Sequence, residues 1–293
     1  MSSLRRLTSN DRPVVDTFLD CHRASSMFLR ANLFHSGLED GPEPFCGLYV
    51  GAFAGDALTD VAAHYWNGNI ILQAPTQPVE LALVVAGESG RPVDGLLGPW
   101  HQVEAAEPEL ARDRARLSKV VPEYLYLLDL AALAVPEALS SGRVNCRRAG
   151  DGDLTALVAW QRQYDLHALG YPDHGIDDVA NRDRLAVKIE NNHLWVLEEA
   201  GCLVSMTGFN AALPDAVQVG GAFTPVELRG RGHGRAVIAG SLLDARADGA
   251  GEAILFTEAE NHPAQRIYES LGFERIGDYG MVLLDPIRAK DEG

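Results

Sequence analysis

Apolar residues recur along this 293-residue chain in two rhythms, one of every second position and one of three and four. The first predicts strands and the second amphipathic helices. In the C-terminal half, helices are expected at about 151–169 and 176–191, ahead of a strand at 193–199. Gly201 marks a turn, and strands at 202–210 and 216–224 follow, joined through Pro214-Asp215. A helix over Ala236 to Arg246, a buried strand from Ala253 to Thr257, a helix at 262–271 and a last strand at 276–284 complete the half.

The N-terminal half repeats this order. Asp11 to Cys21 and Ser25 to Ser36 read as helices, Leu48 to Phe53 as a strand, and Gly55-Asp56 as a turn. Leu58 to Tyr65 and Asn69 to Gln73 form a hairpin around Asn67-Gly68, a type I′ signal. Pro78 to Ala86 is helical, Val93 to Leu97 a strand, Trp100 to Arg112 helical and Tyr124 to Leu130 a strand. The chain therefore divides into tandem copies, 1–138 and 143–293, with the junction near Pro136 to Gly142.

Composition narrows the class. The chain is 46% hydrophobic and 23% charged, ordinary for a globular protein. A net charge of −16 argues against general nucleic-acid binding, which rewards positive charge. The four cysteines are far apart, without a C-x-x-C pair, so neither zinc nor a disulfide framework is expected. The nine histidines show no H-E-x-x-H, and no metal is expected. The first residues lack an apolar signal core and no run is long enough to span a bilayer. A cytoplasmic protein without a membrane partner is the expectation.

One stretch breaks the acidic pattern. Thr224-Pro225-Val226-Glu227-Leu228-Arg229-Gly230-Arg231-Gly232-His233-Gly234-Arg235 connects a strand to a helix. Glycine lets the backbone bend sharply and approach a ligand closely. A helix start points unpaired N–H groups at one spot, backed by the helix dipole. That combination binds phosphate, and a pyrophosphate is the inferred ligand. The loop lacks the Lys-Ser or Lys-Thr of a P-loop, and G-x-G-x-G is not the dinucleotide spacing.

R-x-x-G-x-G, read as Arg229, Gly232 and Gly234, resembles motif A of the GCN5-related N-acetyltransferase (GNAT) family. Downstream, Asn261, Ala264, Tyr268, Gly272 and Phe273 have the spacing N-x-x-A-x-x-x-Y-x-x-x-G-F, similar to the family's motif B. The two motifs span about residues 194–284, roughly a third of the chain. The resemblance implies an α/β (α+β) chain of tandem GNAT folds, each a mixed, mostly antiparallel sheet flanked by helices. It implies an acyltransferase that moves acetyl from acetyl-CoA to a primary amine, on a small molecule or a protein, by direct attack on the thioester.

It also implies site roles. Backbone groups of Ala222, Phe223 and Thr224 would pair with pantetheine, and amides of Gly230, Arg231, Gly232, His233, Gly234 and Arg235 would cradle the pyrophosphate. Arg229 and Arg235 would reach phosphates, unless they are solvated. Asn261 would touch coenzyme A or simply cap its helix. Tyr268 would protonate the departing thiolate. Ala264, Ile267, Tyr268 and Leu271 share one helix face, so Tyr268 also reads as a core-facing aromatic. The general base stays open among Glu198, Glu199, Glu258, Glu260 and water, since Gln218 cannot serve.

The first copy lacks the loop. Gln73-Ala74-Pro75-Thr76-Gln77-Pro78-Val79-Glu80 has neither Gly nor Arg, and its prolines remove N–H donors. It is expected to have lost acetyl-CoA binding. Gly98 to Gln102 and His64 to Asn67 line a substrate pocket or form a packed core edge. A non-catalytic acyl-CoA sensor is the alternative function. Oligomeric state is open, a homodimer among the options.

Overall fold

The computed structural model describes residues 3–111, 114–167 and 173–285. In chain order the elements are β1 (Ser3–Arg6), α1 (Arg12–Cys21), α2 (Met27–Ser36), β2 (Gly47–Ala54), β3 (Ala57–Tyr65), β4 (Asn69–Gln73), α3 (Pro78–Ser89), β5 (Gly95–Pro99), α4 (Trp100–Leu110) and β6 (Leu117–Asp129). Then come α5 (Glu137–Ser140), β7 (Val144–Arg148), α6 (Leu154–His167), α7 (Asp178–Glu190), β8 (Leu194–Glu199), β9 (Cys202–Ala212), β10 (Ala216–Phe223), α8 (His233–Ala247), β11 (Glu252–Glu258), α9 (His262–Leu271) and β12 (Glu274–Leu284). Arg112 and residues 168 and 169, expected in helices, lie outside the described residues. Among the described residues no helix is long and apolar enough to cross a membrane.

The compact units do not follow a single cut in the chain. One comprises Met1–Leu125, Phe256–Glu260 and Arg275–Gly293, the other Tyr126–Leu255 and Asn261–Glu274. Each is a mixed, mostly antiparallel sheet flanked by helices, and each is completed by a strand from the other half of the sequence.

In the first unit the strand order is β1-β2-β3-β4-β5-β12. The pairs are antiparallel except β4 with β5, which run parallel from Asn69↔Gly95 to Ile71↔Leu97. Alternation along β4 sends Ile70 and Leu72 to one face, where Leu81 and Val85 of α3 and Val103 of α4 pack on them. Ile71 joins Tyr49, Val61 and Tyr65 on the opposite face, beneath Val15 and Leu19 of α1 and Leu29 and Leu33 of α2. His64 is buried here, with Nδ1 2.6 Å from the Ser89 hydroxyl and Nε2 3.2 Å from the Pro92 carbonyl. Burial lowers its pKa. Gln102 is buried too and accepts the Ala74 N–H at 2.6 Å. These two side chains are satisfied parts of the core.

In the second unit the order is β7-β8-β9-β10-β11, followed by the C-terminal end of β6. β10 and β11 are the parallel pair, over Ala216↔Glu252 to Gln218↔Ile254. The same connection therefore occurs once in each unit: a strand, a helix and a parallel strand joined by three registered residues. A core of Leu154, Leu157, Leu185, Leu194, Val196, Met206 and Phe223 seats α6 and α7 against one sheet face.

Candidate functional site

The parallel pairing of β10 and β11 ends at Gln218↔Ile254. Beyond it, the edge of β10 facing β11 has no strand partner among the described residues. On its other side β10 stays paired to β9, with Val219↔Phe209, Gly220↔Gly208 and then Phe223↔Met206. Three residues of β10 thus oppose two of β9, a bulge centred on Gly221, whose φ is +66°. A bulge leaves backbone groups unpaired and bends the strand. Ala222, Phe223 and Thr224 follow it directly.

The strand end is pinned from beneath. Ser205 Oγ donates to the Phe223 carbonyl at 2.8 Å and lies 2.9 Å from Thr224 Oγ1. A short 3₁₀ turn at Val226–Leu228 then carries the chain outward. Arg229 Nε donates back to the Thr224 carbonyl at 3.0 Å, and its guanidinium lies 5.8 Å from the Phe223 ring centroid. Gly230 and Gly232 take φ of +77° and +82°, the left-handed region that disfavours any other residue.

α8 begins at His233 with Gly232 as its cap. The first backbone bond belongs to Ala236 N–H, which donates to the Gly232 carbonyl at 3.0 Å. The amides of Gly230 through Arg235 make no backbone hydrogen bond among the described residues. Six successive N–H groups are thus left without a backbone partner at the positive end of a 15-residue helix, an arrangement that favours negative charge.

The side chains expected at this site are mostly occupied elsewhere. Arg235 Nη2 donates to the Ser270 carbonyl at 3.0 Å, near the end of α9, and so ties α9 to the start of α8. Arg231 reaches the Glu227 carbonyl at 3.5 Å. Arg229 braces the loop, as above. What the loop offers outward is chiefly backbone. His233 is 3% exposed, with Nε2 3.1 Å from Glu199 Oε2. Asn261 caps α9, its Oδ1 accepting the Ala264 N–H at 3.3 Å.

Tyr268 lies half-buried on α9, its ring centroid 6.2 Å from Tyr126 and 5.9 Å from Phe273. A Cβ added at Gly234 would meet Cδ1 of Ile267, the residue beside Tyr268, at 3.7 Å, so α9 lies close against the start of α8. Tyr126 itself donates to Glu269 Oε1 at 3.3 Å.

Among the carboxylates considered as a base, Glu198 is clasped by Arg147 at 2.7 Å, which lowers its pKa, and Glu199 holds His233. Gln218 is buried, with Nε2 on the Val219 carbonyl at 3.1 Å. Glu258 falls in the first unit and pairs with Lys119 at 3.3 Å.

The equivalent turn of the first unit is filled from within. Asp60, fully buried on β3, accepts the N–H groups of Thr76 at 2.7 Å and Gln77 at 3.0 Å through Oδ1. Its Oδ2 accepts the hydroxyls of Thr76 and Thr59. A carboxylate of the chain itself sits where the other copy presents open amides. Sequence reading missed Asp60, Ser205 and the Glu199–His233 contact, because the partners that place them in the turn and loop are 16 or more residues away.

The sequence model described as "Acetyltransferase (GNAT) family" matches residues 157–273, which run from α6 through the glycine loop to Phe273. The chain carries a GNAT acetyltransferase domain. Solved structures agree in fold over nearly the whole length. A protein from Drosophila melanogaster superposes with a TM-score of 0.64 at 12% identity, covering 96% of this chain and 98% of that one. A GCN5-related N-acetyltransferase from Sphaerobacter thermophilus gives 0.56 at 13% identity, over 96% and 94%. A tandem GNAT protein from the clavulanic acid biosynthesis pathway gives 0.53 at 12% identity, over 99% and 100%. The two-copy GNAT architecture is therefore shared end to end. No curated protein matches the chain significantly in sequence.

Proposed function

We propose that the protein is an acetyl-CoA-dependent N-acetyltransferase acting on a primary amine, with its acyl-CoA site in the second unit. The observation that carries this reading is the row of unpaired amides from Gly230 to Arg235, immediately after an unpaired strand edge. The edge offers Ala222, Phe223 and Thr224 to an extended amide chain such as pantetheine, in the manner of an added strand. The row of amides takes the pyrophosphate. Asn261 fixes the start of α9 and so the placement of Tyr268.

In the reaction, the neutral amine nitrogen attacks the thioester carbonyl, the C–S bond breaks, the thiolate takes a proton from Tyr268, and the proton the nitrogen sheds as the amide forms restores the Tyr268 hydroxyl. The ammonium form of the acceptor must first lose a proton, to water or a carboxylate. Holding both reactants in line supplies much of the acceleration, and an amide near the bulge would stabilise negative charge on the carbonyl oxygen. The first unit takes no acyl-CoA, because Asp60 already satisfies its turn.

Calorimetric titration with acetyl-CoA tests this directly. One site per chain is expected, followed by thiol release when primary amines are added. Two sites would refute the role given to Asp60, and no binding would refute the acyltransferase reading. Binding without turnover across a broad amine panel would leave an acyl-CoA sensor.

A further inference from the structure

α8 starts on a titratable residue that the acyl transfer itself does not use. His233 is 3% exposed, and as the first residue of the helix it contributes its own N–H to the open row of amides. Side chains on a helix lean toward its N-terminus, which directs the ring of this first residue back along the glycine loop. Its Nε2 is 3.1 Å from Oε2 of Glu199, the last residue of β8. A carboxylate only accepts, so Nε2 carries the hydrogen of that bond. Nδ1 is then a bare nitrogen, buried and without a hydrogen-bond partner among the described residues. Buried polar atoms without a partner are rare in native proteins. This one hangs from the same turn whose amides face the anion.

The balance of charge gives that nitrogen a use. The three arginines of the loop are directed to carbonyls, Arg229 to Thr224, Arg231 to Glu227 and Arg235 to Ser270. Glu199 brings a carboxylate to the first turn of α8, where it suits the helix dipole but repels a second anion bound to the same turn. Other groups at this end of α8 are uncharged: the Gly234 position meets Thr224 Oγ1 and Ile267, and Thr224 Oγ1 is bonded to Ser205. Histidine is the side chain whose charge changes near neutral pH, and negative charge close by favours its protonated form. A proton taken up at Nδ1 makes an imidazolium, still bonded to Glu199 through Nε2, and sets a positive charge against the turn that holds the anion.

We propose that His233 is a positioning residue of the anion site: clamped by Glu199 it fixes the first turn of α8, and it takes up a proton when the pyrophosphate of an acyl-CoA binds there. This rests on the acyl-CoA reading of the loop and adds its regulation, since affinity then falls as pH rises and the imidazolium is lost.

Calorimetry on the full chain tests it with dephospho-CoA as the probe. The pyrophosphate of that compound keeps its charge near neutrality, whereas the 3′-phosphate of coenzyme A does not. Titrations at pH about 6, 7 and 8, in buffers of different ionisation enthalpy, read affinity and proton exchange together. The wild type is expected to take up a fraction of a proton and to lose affinity several-fold across this range. His233→Gln keeps a donor for Glu199 but has no nitrogen that titrates, so the uptake should vanish and the affinity should become flat with pH. Glu199→Gln keeps an acceptor for Nε2 and removes the carboxylate that favours the imidazolium, so the uptake should move to lower pH. It carries the test alone if His233→Gln fails to fold.

Proton uptake that survives in His233→Gln, uptake that does not move in Glu199→Gln, or a wild-type affinity independent of pH would overturn the proposal. Binding of dephospho-CoA without proton uptake overturns this inference alone. No binding of dephospho-CoA or acetyl-CoA at any of these pH values overturns the acyl-CoA reading, and this inference with it.

Discussion

Replacing Asp60 tests whether an internal carboxylate stands in for a bound anion in the first unit. Its Oδ1 accepts two backbone amides and its Oδ2 two hydroxyls. Asp60→Ala orphans the amides of Thr76 and Gln77, at about 1–3 kcal/mol each, so roughly 2–6 kcal/mol of stability is lost. Asp60→Asn keeps an acceptor for both amides, and the two hydroxyls can reorient to accept from its amide group. What it loses is charge assistance, about 1 kcal/mol for each backbone bond, or roughly 2 kcal/mol in all. The assay is urea unfolding with and without added phosphate. Phosphate should raise the midpoint of Asp60→Ala more than that of the wild type, because the variant adds a second open group of amides to the row from Gly230 to Arg235. A loss under about 1 kcal/mol in Asp60→Ala, or equal phosphate response in both proteins, would refute the reasoning.

Three further outcomes are expected. Tyr268→Phe should lower turnover by about 10²-fold or more while acetyl-CoA affinity, read by calorimetry, stays near wild type. Gly232→Ala forces a Cβ into φ +82° at the helix cap, so it should cost about 1–2 kcal/mol in thermal unfolding and weaken acetyl-CoA binding beyond that strain. The Glu123 carboxyl is raised in the folded chain to about 7. Below its unfolded pKa of about 4.3 it contributes no penalty; as pH rises toward neutrality the folded state resists ionisation, so stability falls, by up to about 3 kcal/mol, and then levels off. Urea midpoints from pH about 4 to about 8 should show this slope, and Glu123→Gln should flatten it.

The sequence was most legible where structure is local. Asn69–Gln73 and the 262–271 helix are found where turn chemistry and a single apolar face place them. The strand–loop–helix of the anion site was readable because Gly230 and Gly232 serve a backbone demand that no other residue meets cheaply. β1 and β7 were not readable: Ser-Leu-Arg-Arg and Val-Asn-Cys-Arg-Arg are short, polar edge strands that bury little. β6 was anticipated only from Tyr124, since Pro122 and the exposed Ser118 and Val120 hide its first half. Nothing in the composition of β12 tells that it pairs with β5, from a segment nearly two hundred residues earlier. The Arg side chains of the glycine loop were less legible, because a cationic head can serve a carbonyl as well as an anion, and Arg229 and Arg235 donate to the Thr224 and Ser270 carbonyls.

The exchange of final strands ties the first copy to the second. β12 follows α9 directly in the chain, yet its Tyr279 to Leu283 pair with Pro99 to Gly95 of the N-terminal half. A gene shortened to its second half would encode that strand without the edge it pairs with, leaving an apolar ribbon open to self-association. Duplication followed by strand exchange thus works as a ratchet. A copy that houses its twin's last strand can change its own turn freely, but it cannot be deleted.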